Sequence, residues 1–232
     1  MNFLIVGLIR NCEDNLLTTL KCLDNSFKFA DRLEYYFVES DSNDKTLSYL
    51  EELKNSRENL NFISLGKLSE KIPIRVERLA YCRNKYIEFL WEKNSDWVNY
   101  LVVVDMDGVC TDLTAEAVKS CWDKEEWAAC TANQSDYYYD IWALRHSSWC
   151  PIDFGIAQRE NLKLGFEESY LTLNLYSMMI NIPSSFDFIK VDSAFSGLAI
   201  YKKSFIPKNA RYTARDENNE IICDHPTFNK YI

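Results

Sequence analysis

The chain opens on an apolar run, Phe3 to Ile9, continuous in the way expected of a strand buried on both faces. Leu16, Leu17, Leu20 and Leu23 then recur at helical spacing, and Glu34–Val38 reads as the next strand. Leu47, Leu50 and Leu53 mark a second helix, opening near the capping-type residues Ser42–Asp44. Asn61–Leu65 predicts a short third strand. Pro73 can open a third helix as its first residue, with Leu79, Cys82, Tyr86, Phe89 and Leu90 on one face. Trp97–Val104 is a fourth apolar run, and it ends at Asp105. Strand and helix thus alternate through the first half. That pattern predicts an α/β fold, with a mostly parallel, right-handed sheet and helices on both faces.

The second half is less regular. Leu113, Ala117 and Cys121 suggest a helix, Trp127–Thr131, Tyr138–Leu144 and Phe195–Tyr201 suggest strands, and Leu171–Ile180 fits either. It reads as an α+β decoration packed on the same sheet. With 232 residues, no repeat and no composition break, a single domain is expected, its halves meeting near residue 107.

Composition narrows the ligand. Asp and Glu number 35 against 26 Lys and Arg, a formal charge of −9. A broad grip on nucleic acid needs a basic surface, so none is expected. A phosphate-bearing ligand would need a local Arg cluster or a metal ion. The eight cysteines form no CxxC pair, which excludes a zinc ribbon and suggests reduced, mostly buried thiols. No signal-peptide pattern and no membrane-length apolar run is present, so a cytoplasmic location is expected.

In a parallel sheet, ligands bind beyond the carboxyl ends of the strands. Three inferred strand ends carry polar groups there: Arg10-Asn11, Glu39-Ser40-Asp41-Ser42 and Asp105-Met106-Asp107. Residues two apart in an extended segment point the same way, so Asp105 and Asp107 can converge on one cation. Oxygen ligands of this kind suit Mg²⁺ or Mn²⁺. A pair of solvated turn aspartates would carry the same letters.

The segment VVVDMDGV at 102–109 resembles the first motif of haloacid-dehalogenase-type phosphatases, which would make Asp105 a nucleophile and Asp107 a general acid. That family places the motif on the first strand of its core and needs a later GDxxxD, which is lacking here. A stronger resemblance, spanning most of the chain, is to metal-dependent glycosyltransferases of the GT-A (Rossmann-like) fold. VESDSNDKT at 38–46 is similar to their ENDSxDxT segment. RVERLAYCRN at 75–84, YYDIWALR at 138–145 and SAFSGLAIY at 193–201 resemble RxxRLAxxRN, YYDxWALR and xAFGGLAIY of capsule and glycan mannosyltransferases, particularly the fungal capsule-associated type. Ser196 departs from the Gly common in that group.

The resemblance implies a nucleotide-binding half over 1–107 and an acceptor- and sugar-binding half over 108–232. It implies transfer of a sugar from a UDP- or GDP-sugar to a hydroxyl of a glycan acceptor, with Asp105, Asp107 and a late His225 on Mn²⁺ or Mg²⁺. Arg10, Asn11, Glu39, Asp41 and Met106 would line the nucleotide, and Arg78 and Arg83 would meet its phosphates. Asp140, Trp142, Phe195, Ser196 and Gly197 would hold the sugars. Asp192 is the candidate base should the anomeric centre invert. Asn84 is expected to steady the Asp105 loop. A phosphatase using Asp105 and a catalytically silent nucleotide-sugar-binding module stand as the alternatives.

Overall fold

The computed structural model of the chain describes residues 1–92 and 95–232. One six-stranded sheet runs in the order β3-β2-β1-β4-β6-β5. Strands β1 (Asn2–Ile9), β2 (Arg32–Glu39), β3 (Leu60–Ser64) and β4 (Tyr100–Val104) are parallel. Strand β6 (Leu198–Lys202) lies antiparallel between β4 and β5 (Ala129–Thr131). Helices α1 (Leu16–Ser26), α2 (Thr46–Ser56) and α3 (Arg75–Leu90) make the crossovers that parallel strands need. Helices α4 (Ala115–Ser120), α5 (Phe154–Lys163), α6 (Glu168–Met178) and α7 (Asp224–Asn229) follow. The α/β fold with a mostly parallel, helix-covered sheet is the one the pattern predicts.

Side-chain alternation explains why the first strand has no polar face. Phe3, Ile5 and Ile9 of β1 pack with Leu16, Leu20 and Leu23 of α1, Leu50 of α2 and Val118 of α4. Leu4 and Val6 point the other way, onto Tyr86, Ile87 and Leu90 of α3 and Phe228 of α7. Each such side chain, fully buried, stabilises by about 1.5–3 kcal/mol. A third cluster of Tyr138, Ile141, Leu144, Cys150, Phe154 and Ala194 supports the α5–α6 excursion.

The differences from expectation are local and have causes. Helix α3 starts at Arg75, because Pro73 and Ile74 stay outside it and Ile74 is extended. The fourth strand is shorter than Trp97–Val104. Residues 138–144 form a turn instead of a strand: Asp140 accepts from the N–H groups of Ala143 and Leu144, a local bonding that competes with a ladder. Residues 171–178 are helical, within α6. Strand β6 starts only at Leu198, since Ser196 (φ 56°) and Gly197 (φ 87°) are left-handed.

Candidate functional site at the carboxyl edge of the sheet

The carboxyl ends of β1, β2 and β4 share one edge. The antiparallel register pairs Val104 with Leu198, which adds Ser196 and Gly197 to that edge from β6. The loops are tied together by backbone bonds. The Asp105 N–H donates to Gly197 O (2.9 Å), and the Ser196 N–H donates to Asp140 Oδ2 (3.2 Å). Asn15 Nδ2 donates to Asp107 O (2.8 Å), the Asn11 N–H to Ser42 Oγ (3.2 Å), and the Asn43 N–H to Asn11 Oδ1 (2.9 Å). A Cβ on Gly197 would stand 2.7 Å from Val109 Cγ1. The β4–β6 junction is therefore closed to anything larger than glycine there.

Four carboxylates act on this corner. Burial above all, with the charges of Asp107 and Asp140, pushes Asp105 up to about 7, against the pull of Arg83 and Arg75. Burial also raises Asp140, although the N–H groups of Ser196 and Ala143 oppose it. Asp224 is ion-paired with Arg83, and both side chains are buried. Four carboxylates thus face two guanidiniums, an excess of negative charge that one divalent cation would neutralise.

Asp105 and Asp107 supply the hard oxygen donors that Mg²⁺ or Mn²⁺ prefers, so the residues present fit such an ion. No group of three or more His, Cys, Asp or Glu among the described residues is arranged to hold a metal. Two carboxylates with phosphate and water oxygens are a usual sphere for these ions. His225 is not gathered into that pair. Its ring is buried, stacked 4.0 Å from Phe195, and neither ring nitrogen has a hydrogen-bond partner among the described residues. Burial and the Arg83 charge hold the imidazole well below its ordinary range, so it is uncharged.

Several expected ligand residues face inward. Phe195 is 2% exposed and Met106 1%; both side chains belong to the core, leaving only their backbones at the edge. The Ser196 side chain is buried as well. Glu39 is buried, with its carboxylate accepting from the Ser42 N–H (3.0 Å) and from Ser64 Oγ. Asp41, at φ 61°, accepts from Ser69 Oγ (2.6 Å) and N–H (2.8 Å). Burial opposes its charge, yet those bonds hold its carboxyl below the usual range. Arg78 donates to the carbonyls of Ile72 (2.8 Å) and Pro73 (2.7 Å) and lies 3.9 Å from Asp41. It ties down the loop before α3.

Asn84 exchanges two 2.9 Å bonds with the backbone of Tyr212 and does not reach the Asp105 loop. Asp192 is exposed; its N–H donates to Arg145 O (2.9 Å), and no bond among the described residues joins its carboxylate to the acidic corner. Arg10 and Asn11 are exposed at the end of β1. Trp142 is 41% exposed and meets Phe154 in a T-shaped contact at 5.3 Å.

Two groups at the corner read from the sequence as something else, Arg75 as part of a solvated charged face of the third helix with Arg78 and Lys85, and Tyr139 as one of three tyrosines in a strand. Arg75, exposed at the start of α3, acts on the charge of Asp105 and has no ion pair among the described residues. Tyr139 lies with its hydroxyl 3.5 Å from the Cβ position of Gly197, and after burial the charges of Asp105, Asp140 and Asp107 raise its pKa. Helical spacing puts Arg75 beside Arg78, but it does not tell that Arg78 is spent on the carbonyls of Ile72 and Pro73 while Arg75 acts on the charge of Asp105. Nothing in the sequence flags Tyr139. An open cavity at the opposite end of β4, lined by Trp91, Val98, Tyr100 and Lys203, has no acidic pair.

No family model matches the chain. No curated protein matches it. Among solved structures, a TarS structure from S. aureus matches over 100% of this chain and 55% of that one, at 14% identity and a TM-score of 0.48. The mannosyltransferase PcManGT from Pyrobaculum calidifontis, in complex with GDP-Man and Mn²⁺, matches over 97% and 49%, at 13% identity and 0.44. Glucosyl-3-phosphoglycerate synthase from Mycobacterium tuberculosis, in complex with uridine diphosphate, matches over 88% and 58%, at 11% identity and 0.42. The chain spans about half the length of these matched chains. Likeness this weak leaves function to the chain's own residues. Among the described residues, no helix is long and apolar enough to cross a membrane.

Proposed function

We propose that the chain is a metal-dependent glycosyltransferase, taking a nucleoside-diphosphate sugar as donor and a glycan hydroxyl as acceptor. The observation that carries this reading is the uncompensated acidic corner at the carboxyl edge of β4. A half-buried carboxylate beside two like charges is costly unless a cation joins it. Asp105 and Asp107 would hold Mn²⁺ or Mg²⁺. Bound there, the ion supplies neutralisation of the charge that builds on a departing nucleoside diphosphate. The motif order along the chain supports a GT-A enzyme of mannosyltransferase type over the phosphatase. So does the place of Asp105, which follows the fourth strand in chain order.

The remaining roles follow from what each side chain has left to offer. Arg75 is available to the diphosphate, whereas Arg78 and Arg83 are engaged within the protein. Arg10 and Asn11, with the backbone around Asp41, would border the nucleoside at the carboxyl ends of β1 and β2. Glu39 and Asp41 fix the loop after β2 through their hydrogen bonds. Asp140 and the exposed part of Trp142 would lie on the sugar side, where a carboxylate can accept from sugar hydroxyls and a ring can stack. Tyr139 offers a further hydroxyl at the junction of the two halves.

A thermal-shift series with UDP, GDP and their sugars, with and without Mn²⁺, tests the proposal. A nucleoside diphosphate should raise the Tm only when Mn²⁺ is present, and Asp107→Ala should abolish the rise. Slow release of free sugar from the bound donor should accompany it. Turnover of phosphomonoesters with no response to any nucleotide would sink the reading in favour of a phosphatase. Donor binding without transfer or hydrolysis would reduce the chain to a binding module.

A further inference from the structure

The α5–α6 excursion is packed from one side only. In α6, Leu171 is buried and Leu175 and Met178 are half-buried on the third cluster. The opposite side carries Tyr170, Leu173 and Tyr176, spaced three apart and therefore on one flank of the helix, with 61%, 67% and 61% of their surfaces exposed. Phe166 stacks on Tyr170 at 5.7 Å, and Leu162 and Leu164 extend the exposed face. These six side chains leave roughly 700 Å² of apolar surface in water. The largest such patch on a typical monomer is about 300–600 Å². An 11-residue helix is marginal by itself and draws its stability from packing, which here comes from one row alone.

We propose that a second copy of this chain covers this face, with α6 against α6 about a two-fold axis. Three features favour that occupant. The apolar area approaches the ~800 Å² per partner of a standard specific interface. The composition is that of an interface centre: no charged residue occurs from Ser169 to Phe186, and Tyr, Leu and Met alternate with Ser, Thr and Asn. Charges of both signs flank it, Glu160, Lys163, Glu167 and Glu168 on one side and Asp187 and Lys190 on the other, so a copy meets no single-sign field. A membrane surface is the poorer occupant. Helix α6 has no Lys or Arg, and a chain of charge −9 is repelled by anionic lipid. The dimer is independent of the glycosyltransferase reading.

Sedimentation velocity over a concentration series from about 1 to about 100 μM tests it. The wild-type chain should sediment as a dimer across most of that range. Leu173→Glu and Tyr176→Glu should each weaken the dimer by roughly 100-fold or more, because a two-fold interface then buries two carboxylates. Their circular dichroism should match wild type. Leu17→Glu, on exposed α1, should leave the dimer intact. A wild-type monomer at every concentration overturns the proposal, including one that instead floats with phosphatidylcholine vesicles. A dimer that withstands both α6 substitutions overturns it too.

Discussion

At the scale of single residues, what decides a role is whether a charge is already spent. Arg75 and Arg83 both act on Asp105, yet only Arg83 is buried against a carboxylate. Arg75→Ala should therefore leave the Tm nearly unchanged and weaken Mn²⁺-dependent nucleoside-diphosphate binding by about 10–100-fold, the value of a charged hydrogen bond. Isothermal titration checks this, and wild-type affinity would leave Arg75 outside the site. Asp41 makes the contrasting prediction. Its folded pKa is depressed, so its contribution is complete above the unfolded carboxylate pKa and is lost as pH falls through the lower, folded one. Asp41→Asn should cost roughly 1–3 kcal/mol at pH 7. That loss should begin to shrink below about pH 4, where the carboxyl of the unfolded chain takes up its proton, and should vanish once the pH has fallen through the lower, folded pKa. Denaturant curves across that range would show the two proteins converge; a gap that stays constant with pH would refute the charge-based account.

At the scale of elements, the legible parts are those in which local pattern and global burial agree. The runs around β1, β2 and β4 read correctly because a strand buried on two faces has no alternative that hides every side chain. The same logic fails at 138–144. The aromatic and apolar letters from Tyr138 to Leu144 suggest a strand, but Asp140 bonds its own neighbours and turns the chain. It also fails at 195–197, where the apolar letters continue but the backbone becomes left-handed to carry Gly197 O to the Asp105 N–H. That junction yields a prediction. Gly197→Ala places a methyl 2.7 Å from Val109 at φ 87° and should destabilise by roughly 2–4 kcal/mol. Because Gly197 bonds Asp105, the variant should also lose part of its Mn²⁺-dependent shift. A fully stable Gly197→Ala protein would mean the β4–β6 loop has room to move.

At the scale of the whole molecule, the site is legible as a place but not as a set of contacts. The convergence of strand ends follows from topology, and topology follows from the alternation of elements. The ion pairing does not, because Arg83 and Asp224 stand 141 positions apart in the sequence. That pair belongs to a seam along α3, with Asn84 on Tyr212 and Glu77 on Arg215, which fastens the carboxyl-terminal segment to the first half of the chain. The seam gives a way to ask whether Arg83 is a phosphate ligand or a strut. Arg83→Ala should cost about 3–5 kcal/mol, since it leaves a buried carboxylate unpaired. Replacing both partners, Arg83→Met with Asp224→Leu, removes one charge of each sign. It should come within about 2 kcal/mol of wild type. It also leaves the negative excess at the corner as it was, so the cation should still bind. If Arg83 is a strut, the double variant keeps its Mn²⁺-dependent response to a nucleoside diphosphate. A folded double variant that binds Mn²⁺ but no longer answers to the diphosphate would transfer the phosphate role from Arg75 to Arg83.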